Sequence, residues 1–169
     1  DVGLEECLRM AEGKTGTLLA LACALGGLAG GADPVRIGHL RAFGGHLGVA
    51  FQLVDDLLGV WGDPLATGKP VGADLVSRKK SLLAVAALTS GTPAADDLAA
   101  LYSRDRPLER ADLPGVIALV ERTGAREWAR TRLAHEVAEA TRHLAAADPD
   151  PGAAEALLDV AGLVVGRDR

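Results

Sequence analysis

Two adjacent carboxylates, Asp55 and Asp56, stand late in a strongly apolar segment, and lysines follow them at Lys69 and Lys79. On a helix, Gln52, Asp55, Asp56 and Gly59 fall at i, i+3, i+4 and i+7 and share one face. Two acids on an apolar helix are costly unless they are paired or bind a metal. Oxygen ligands of this kind suit Mg²⁺, which usually bridges one or two carboxylates to the phosphates of a substrate. The stretch from Gly62 to Asp74 reads as a loop rich in Gly and Pro, with Lys69 between Gly68 and Pro70. Lys79 lies within Arg78-Lys79-Lys80, just before a new apolar segment. Cations fixed around a departing diphosphate stabilise the charge that develops as its C–O bond breaks. A salt bridge or a solvated helix end would account for a bare acid pair. Acids, flexible loop and lysines in that order favour a metal and phosphate site. Arg78 and Lys80 by themselves read as solvated charges.

Helices must position these groups. Leu18, Leu21 and Leu25 recur at helical spacing in a segment from Leu4 to about Leu28. Lys14 falls one turn before Leu18, as a rim residue or one aimed at a cleft. Asp33 is placed to cap a long helix with Pro34 at its first position, running to Trp61. One and two turns before Gln52, Gly48, Gly45 and Gly44 offer either room for an apolar tail or close helix packing. Leu82 to Leu88 reads as a buried helix, and Ala94 to Tyr102 as a short one. Leu113 to Thr123 and the amphipathic Ala125 to Ala147 follow, the latter with Leu133, Val137 and Leu144 inward. Asp148-Pro149-Asp150-Pro151-Gly152 stops and restarts the chain before a last helix from about Ala153 to Val165. The pattern predicts one all-α domain over residues 1–169, of roughly seven helices.

Composition agrees. The 169 residues are dominated by Ala, Leu and Gly, with only 3% aromatics, which favours helix over sheet. A net charge of −5 argues against bulk nucleic-acid binding. Cys7 and Cys23 read as buried thiols in a reducing compartment, too widely spaced for zinc. No uninterrupted apolar run reaches membrane-spanning length, and no signal-peptide pattern is present, so a cytoplasmic protein is expected.

The run FQLVDDLLGVWGD, then TGK, then GADLVSRKKS, resembles the second aspartate-rich region of the trans-polyprenyl diphosphate synthases. There the family pattern is FQ-x-x-DD-x-x-D, a GD, a GK, then D-x-x-x-x-K-x-T. Glu12-Gly13-Lys14-Thr15 looks like the family's Lys-Thr helix. The resemblance covers Lys14 to Ser81 and implies the C-terminal half of an isoprenoid synthase helical bundle. It implies Mg²⁺-dependent condensation of isopentenyl diphosphate with an allylic diphosphate to a short-chain prenyl diphosphate. Asp55 and Asp56 would hold Mg²⁺, and Lys14, Lys69 and Lys79 would contact the diphosphate. Thr15 and Gln52 would line the cleft near the carbocation, joining Lys14 and Lys69 in the catalytic set. A homodimer is implied as well.

Three features depart from the family pattern. Gly59 stands where the third aspartate is expected. Asp63, one turn further, is a candidate to assist. Ser81 and Leu83 replace the usual Thr and Pro. The family's first aspartate-rich motif is missing, so the chain is expected to be the C-terminal portion of a longer synthase, inactive without the other half. The alternative is a non-catalytic or regulatory subunit of a hetero-oligomeric synthase, for which Gly59 is the one hint. A terpene cyclase is a weaker reading, because no motif of Asn, Ser and Glu is visible.

Overall fold

The computed structural model describes residues 2–68 and 70–166, whose regular elements are all helical, without strands. The order is α1 (Leu4–Ala11), a π-helical turn (Glu12–Gly16), α2 (Thr17–Ala29), α3 (Pro34–Trp61), α4 (Pro64–Thr67) and α5 (Ala73–Val76). Then come α6 (Leu82–Leu88), α7 (Pro93–Tyr102), α8 (Leu113–Arg122), α9 (Ala125–Ala147) and α10 (Pro151–Val165). There are more segments than the pattern predicts because the first helix is broken by the π turn and the loop holds two single turns.

Local chemistry accounts for the boundaries. Asp33 Oδ1 accepts from the amides of Val35 at 2.8 Å and Arg36 at 3.0 Å, which caps α3 as expected. Asp63 caps α4 through the Leu65 amide at 2.9 Å, with Pro64 at its first position and Gly68 left-handed at its end. Asp63 is therefore a helix cap within the segment expected to be loop. Ser81 and Thr92 cap α6 and α7, and Asp150 caps α10.

The chain forms two compact units, residues 1–7 with 55–131 and residues 8–54 with 132–169. In the first, α6 packs on α7, and α8 packs on both α5 and α7. The first six residues of α6, Leu82 to Ala87, are all buried. Each fully buried Leu or Val there contributes about 1.5–3 kcal/mol. In the second unit, Phe43 and Leu47 of α3 meet Ala140 and Leu144 of α9 in a core flanked by Leu19, Leu40 and Leu157. Close packing is what Gly44 and Gly48 provide there. A Cβ at Gly44 would lie 2.3 Å from the Leu19 carbonyl oxygen, and one at Gly48 would lie 2.5 Å from Gly16 Cα. Gly45 has only ordinary contact, with Ala20 Cβ at 3.9 Å. The leucine stripe on α2 is present but uncovered, with Leu18 68% and Leu25 53% exposed. Neither Cys7 nor Cys23 is in a disulfide. Cys7 is buried, which pushes its thiol up, and Cys23 is half-buried.

Candidate active site

The first unit brings three carboxylates onto one ammonium. Lys79 Nζ lies 2.7 Å from Asp74 Oδ2, 3.8 Å from Asp56 Oδ1 and 4.0 Å from Asp55 Oδ2. Burial works against the charge on Lys79. The hydrogen bond to Asp74 and the charges of Asp74, Asp56 and Asp55 outweigh it and hold the ammonium above its usual range.

The two adjacent aspartates differ. Asp56 is buried, and its Oδ2 accepts from the Leu82 amide at 2.7 Å. Leu82 opens α6, so Asp56 satisfies one of the unpaired amides at that helix start. Asp55 is half-exposed, with 42% of its side chain in solvent. One carboxylate is thus built into the core, and its neighbour faces outward beside Lys79.

Asp74 was not among the residues expected at the site. A Cβ built on Gly59 would lie 2.7 Å from Asp74 Oδ2 and 2.9 Å from its Cγ. The Asp74 carboxylate therefore sits where a side chain at position 59 would begin. The position that lacks the third motif aspartate is filled by a carboxylate from α5. The signal was in the motif, since Asp74 and Lys79 are the Asp and Lys of D-x-x-x-x-K. Their meeting with Gly59 needed the backbone.

Hard carboxylate oxygens converging on one cation match the donor set that Mg²⁺ prefers. The residues present fit such an ion, with Asp55, Asp56 and Asp74 as the donors.

The other expected residues are more dispersed. Gln52 is half-buried on α3, one turn before Asp55 and Asp56. Lys14 and Thr15 lie in the π turn of the second unit, Lys14 exposed and Thr15 partly so. Thr17 Oγ1 donates to the Glu12 carbonyl at 3.0 Å within that turn. Single π turns inside helices are frequent at functional positions, and this one alters the register between Lys14 and Leu18. Lys69 lies outside the described residues. Lys80 is exposed, as expected. Arg78 is not the solvated charge expected of it. It adopts φ 51° and donates through Nη1 to the Arg104 carbonyl at 2.9 Å and through Nη2 to the Arg106 carbonyl. The left-handed backbone turns its side chain back to staple the connection before α8.

Comparison with known proteins shows what the chain as a whole is similar to. A polyprenyl synthetase family model matches residues 1–120. A geranylgeranyl diphosphate synthase of Mycobacterium tuberculosis is 50% identical over 124 residues, covering 73% of this chain and 35% of that protein. The crystal structure of a polyprenyl synthetase from Streptomyces coelicolor superposes with a TM-score of 0.92 at 40% identity, covering 97% of this chain and 50% of that one. A Corynebacterium glutamicum geranylgeranyl pyrophosphate synthase, complexed with isoprenyl diphosphate and magnesium, gives 0.87 at 30% identity, covering 99% and 48%. The chain spans about half the length of these relatives, or less.

Proposed function

The chain belongs to the polyprenyl synthetase family, and on that premise we propose that it is the C-terminal portion of a Mg²⁺-dependent prenyl diphosphate synthase. The reaction is condensation of isopentenyl diphosphate with an allylic diphosphate. The observation that supports it is the cluster of Asp55, Asp56 and Asp74 around Lys79, with Asp74 in the space above Gly59. When bound, Mg²⁺ would supply positive charge against the departing diphosphate.

The chain's own groups do the rest. Lys79, kept protonated by three carboxylates, offers a hydrogen bond and a charge to the diphosphate, as would Lys69 and Lys14. The allylic C–O bond breaks, and its electron pair leaves with the diphosphate. The double bond of isopentenyl diphosphate attacks the resulting carbocation, and loss of a proton completes the product. Thr15 and Gln52 are proposed to line the cleft near the positive carbon.

The proposal extends to the remainder of the protein. An all-α domain of residues 1–169 would combine with an N-terminal half carrying the other aspartate-rich motif. The uncovered leucines of α2 are a suitable surface for it, because exposed apolar stripes of this size usually have a partner. Homodimer assembly and a cytoplasmic location belong to the same proposal. Among the described residues no helix is long and apolar enough to cross a membrane. The subunit alternative rests on Gly59, and the Asp74 carboxylate beside that position supports the enzyme reading instead.

The test is condensation of labelled isopentenyl diphosphate with five-, ten- and fifteen-carbon allylic diphosphates, using the full-length protein with and without Mg²⁺. Longer prenyl products that vanish in Asp55→Ala support the proposal. No product from any allylic substrate would overturn it.

A further inference from the structure

The second unit carries a polar cluster that prenyl transfer does not use. His39 and His46 of α3 meet Glu136, Glu139 and His143 of α9. One ring nitrogen each of His46 and His143 and a carboxylate oxygen of Glu139 lie within 4.8 Å of one another. The His46 and His143 rings stack, with centroids 5.6 Å apart and planes inclined by 17°.

The partners of the two rings determine their tautomers. Glu136 is buried, and its Oε2 lies 2.7 Å from His46 Nδ1, while its Oε1 accepts from Arg132 Nε at 2.6 Å. A carboxylate held by an arginine can only accept, so His46 carries a proton on Nδ1, and Nε2 is the ring nitrogen left to face a cation. Arg142 Nη2 lies 2.9 Å from His143 Nε2 and can only donate, so that nitrogen also has a lone pair. The His143 proton then sits on Nδ1, which donates to His39 Nδ1 at 2.9 Å.

A histidine whose far nitrogen is held by a buried carboxylate is the usual arrangement behind a metal-binding imidazole. Here His46 has that support from Glu136, and His143 is oriented by His39. Arg142 bridges Glu139 Oε2 at 2.7 Å and His143 Nε2, and so stands where a cation would stand. It is 57% exposed, free to swing into solvent. Donors about 2.1 Å from one ion lie about 3–4 Å apart, so the observed spacing closes with small side-chain rotations.

We propose that His46, Glu139 and His143 form a second metal site, of two imidazoles and one carboxylate, for a borderline divalent ion such as Zn²⁺, Co²⁺ or Ni²⁺. Its nitrogen donors distinguish it chemically from the all-oxygen group of Asp55, Asp56 and Asp74. A hard ion such as Mg²⁺ would prefer the latter and leave the imidazoles open.

The test is titration of the full-length protein with Zn²⁺ by calorimetry, and with Co²⁺ by visible absorption, both in excess Mg²⁺. One ion per chain is expected, with Co²⁺ bands of nitrogen ligation. His143→Ala should weaken binding by at least the 10–100-fold typical of losing even a supporting partner, whereas Asp55→Ala should leave it unchanged. Arg142→Ala removes the competing guanidinium without touching a donor and should tighten binding several-fold, with circular dichroism confirming the fold. Absence of Zn²⁺ binding in excess Mg²⁺ would overturn the proposal. So would equal affinity in the parent and His143→Ala, or weaker binding in Arg142→Ala.

Discussion

Restoring the family aspartate by Gly59→Asp should harm this protein. The new Cβ would start 2.7 Å from Asp74 Oδ2, a separation side chains do not tolerate, so Asp74 must leave. Its departure removes the 2.7 Å contact with Lys79, a partly exposed pair worth up to about 1 kcal/mol. A carboxylate at position 59 also adds a negative charge beside Asp55 and Asp56. Two like charges 4 Å apart at an effective dielectric constant of 20 repel by about 4 kcal/mol, an upper scale that side-chain motion and salt reduce. Replacing a mid-helix glycine returns at most about 1 kcal/mol. The balance is a loss of roughly 1–3 kcal/mol in metal-free protein, within the range of substitutions that crowd like charges. Gly59→Ala carries the steric term without the charge, and its propensity gain nearly cancels the lost pair. Urea unfolding without Mg²⁺ measures these differences, and the Mg²⁺ concentration for half-maximal prenyl transfer reads the site. Gly59→Asp should raise that concentration, and the exchanged pair Gly59→Asp with Asp74→Gly should bring it back. A lower Mg²⁺ requirement in Gly59→Asp alone, or no recovery in the exchanged pair, would refute the idea that both positions serve one place.

Three further outcomes follow from the geometry. Asp56→Asn should cost about 1–3 kcal/mol in urea unfolding, because the buried Leu82 amide exchanges a charged acceptor for a neutral one, whereas Asp55→Asn should abolish transfer with little change in stability. Tyr102 is the only tyrosine, its hydroxyl has no hydrogen-bond partner among the described residues, and burial pushes its pKa up to about 12. The folded state therefore holds the proton longer, and this share of stability is whole below pH 10 and falls by up to about 2–3 kcal/mol as pH rises towards 12. Absorbance at the tyrosinate band should show the late titration, and Tyr102→Phe should remove it with stability equal or higher. Gly72→Ala should destabilise by about 1–3 kcal/mol in the same unfolding assay, since φ is 69° there and a Cβ would meet Leu113 Cδ1 at 2.2 Å.

What could be read from the chain was what local chemistry writes into it. Pro34–Trp61 was legible because Asp33-Pro34 opens it and Gly62 with Pro64 closes it. Ala125–Ala147 was legible because Gly124 and the Asp-Pro pairs bracket it. Asp55, Asp56 and Lys79 were legible as a group because one helix face and one loop carry them. Glu136 was not, because it lies among charges on an amphipathic helix, and its partner His46 is 90 residues away. Nothing in Glu12–Gly16 distinguishes a π turn from an α turn, since both permit the same glycines. Arg78 was misjudged for a related reason. A basic run resembles a solvated run until the backbone turns left-handed and aims one guanidinium inward.

The two aspartates of the pair also explain how a site can be both fixed and adaptable. Asp56 is tied to Leu82, and the helix that Leu82 opens is buried along its first six residues. Displacing that carboxylate would disturb an apolar core, so its position is as rigid as the core. Asp55 has no such anchor in α6 and keeps 42% of its side chain in solvent, and Lys79 is exposed to the same degree. Asp74 lies between these extremes, 15% exposed and held by the ammonium it neutralises. Turning Lys79 away from Asp74 would cost one partly exposed ion pair, about 1 kcal/mol or less.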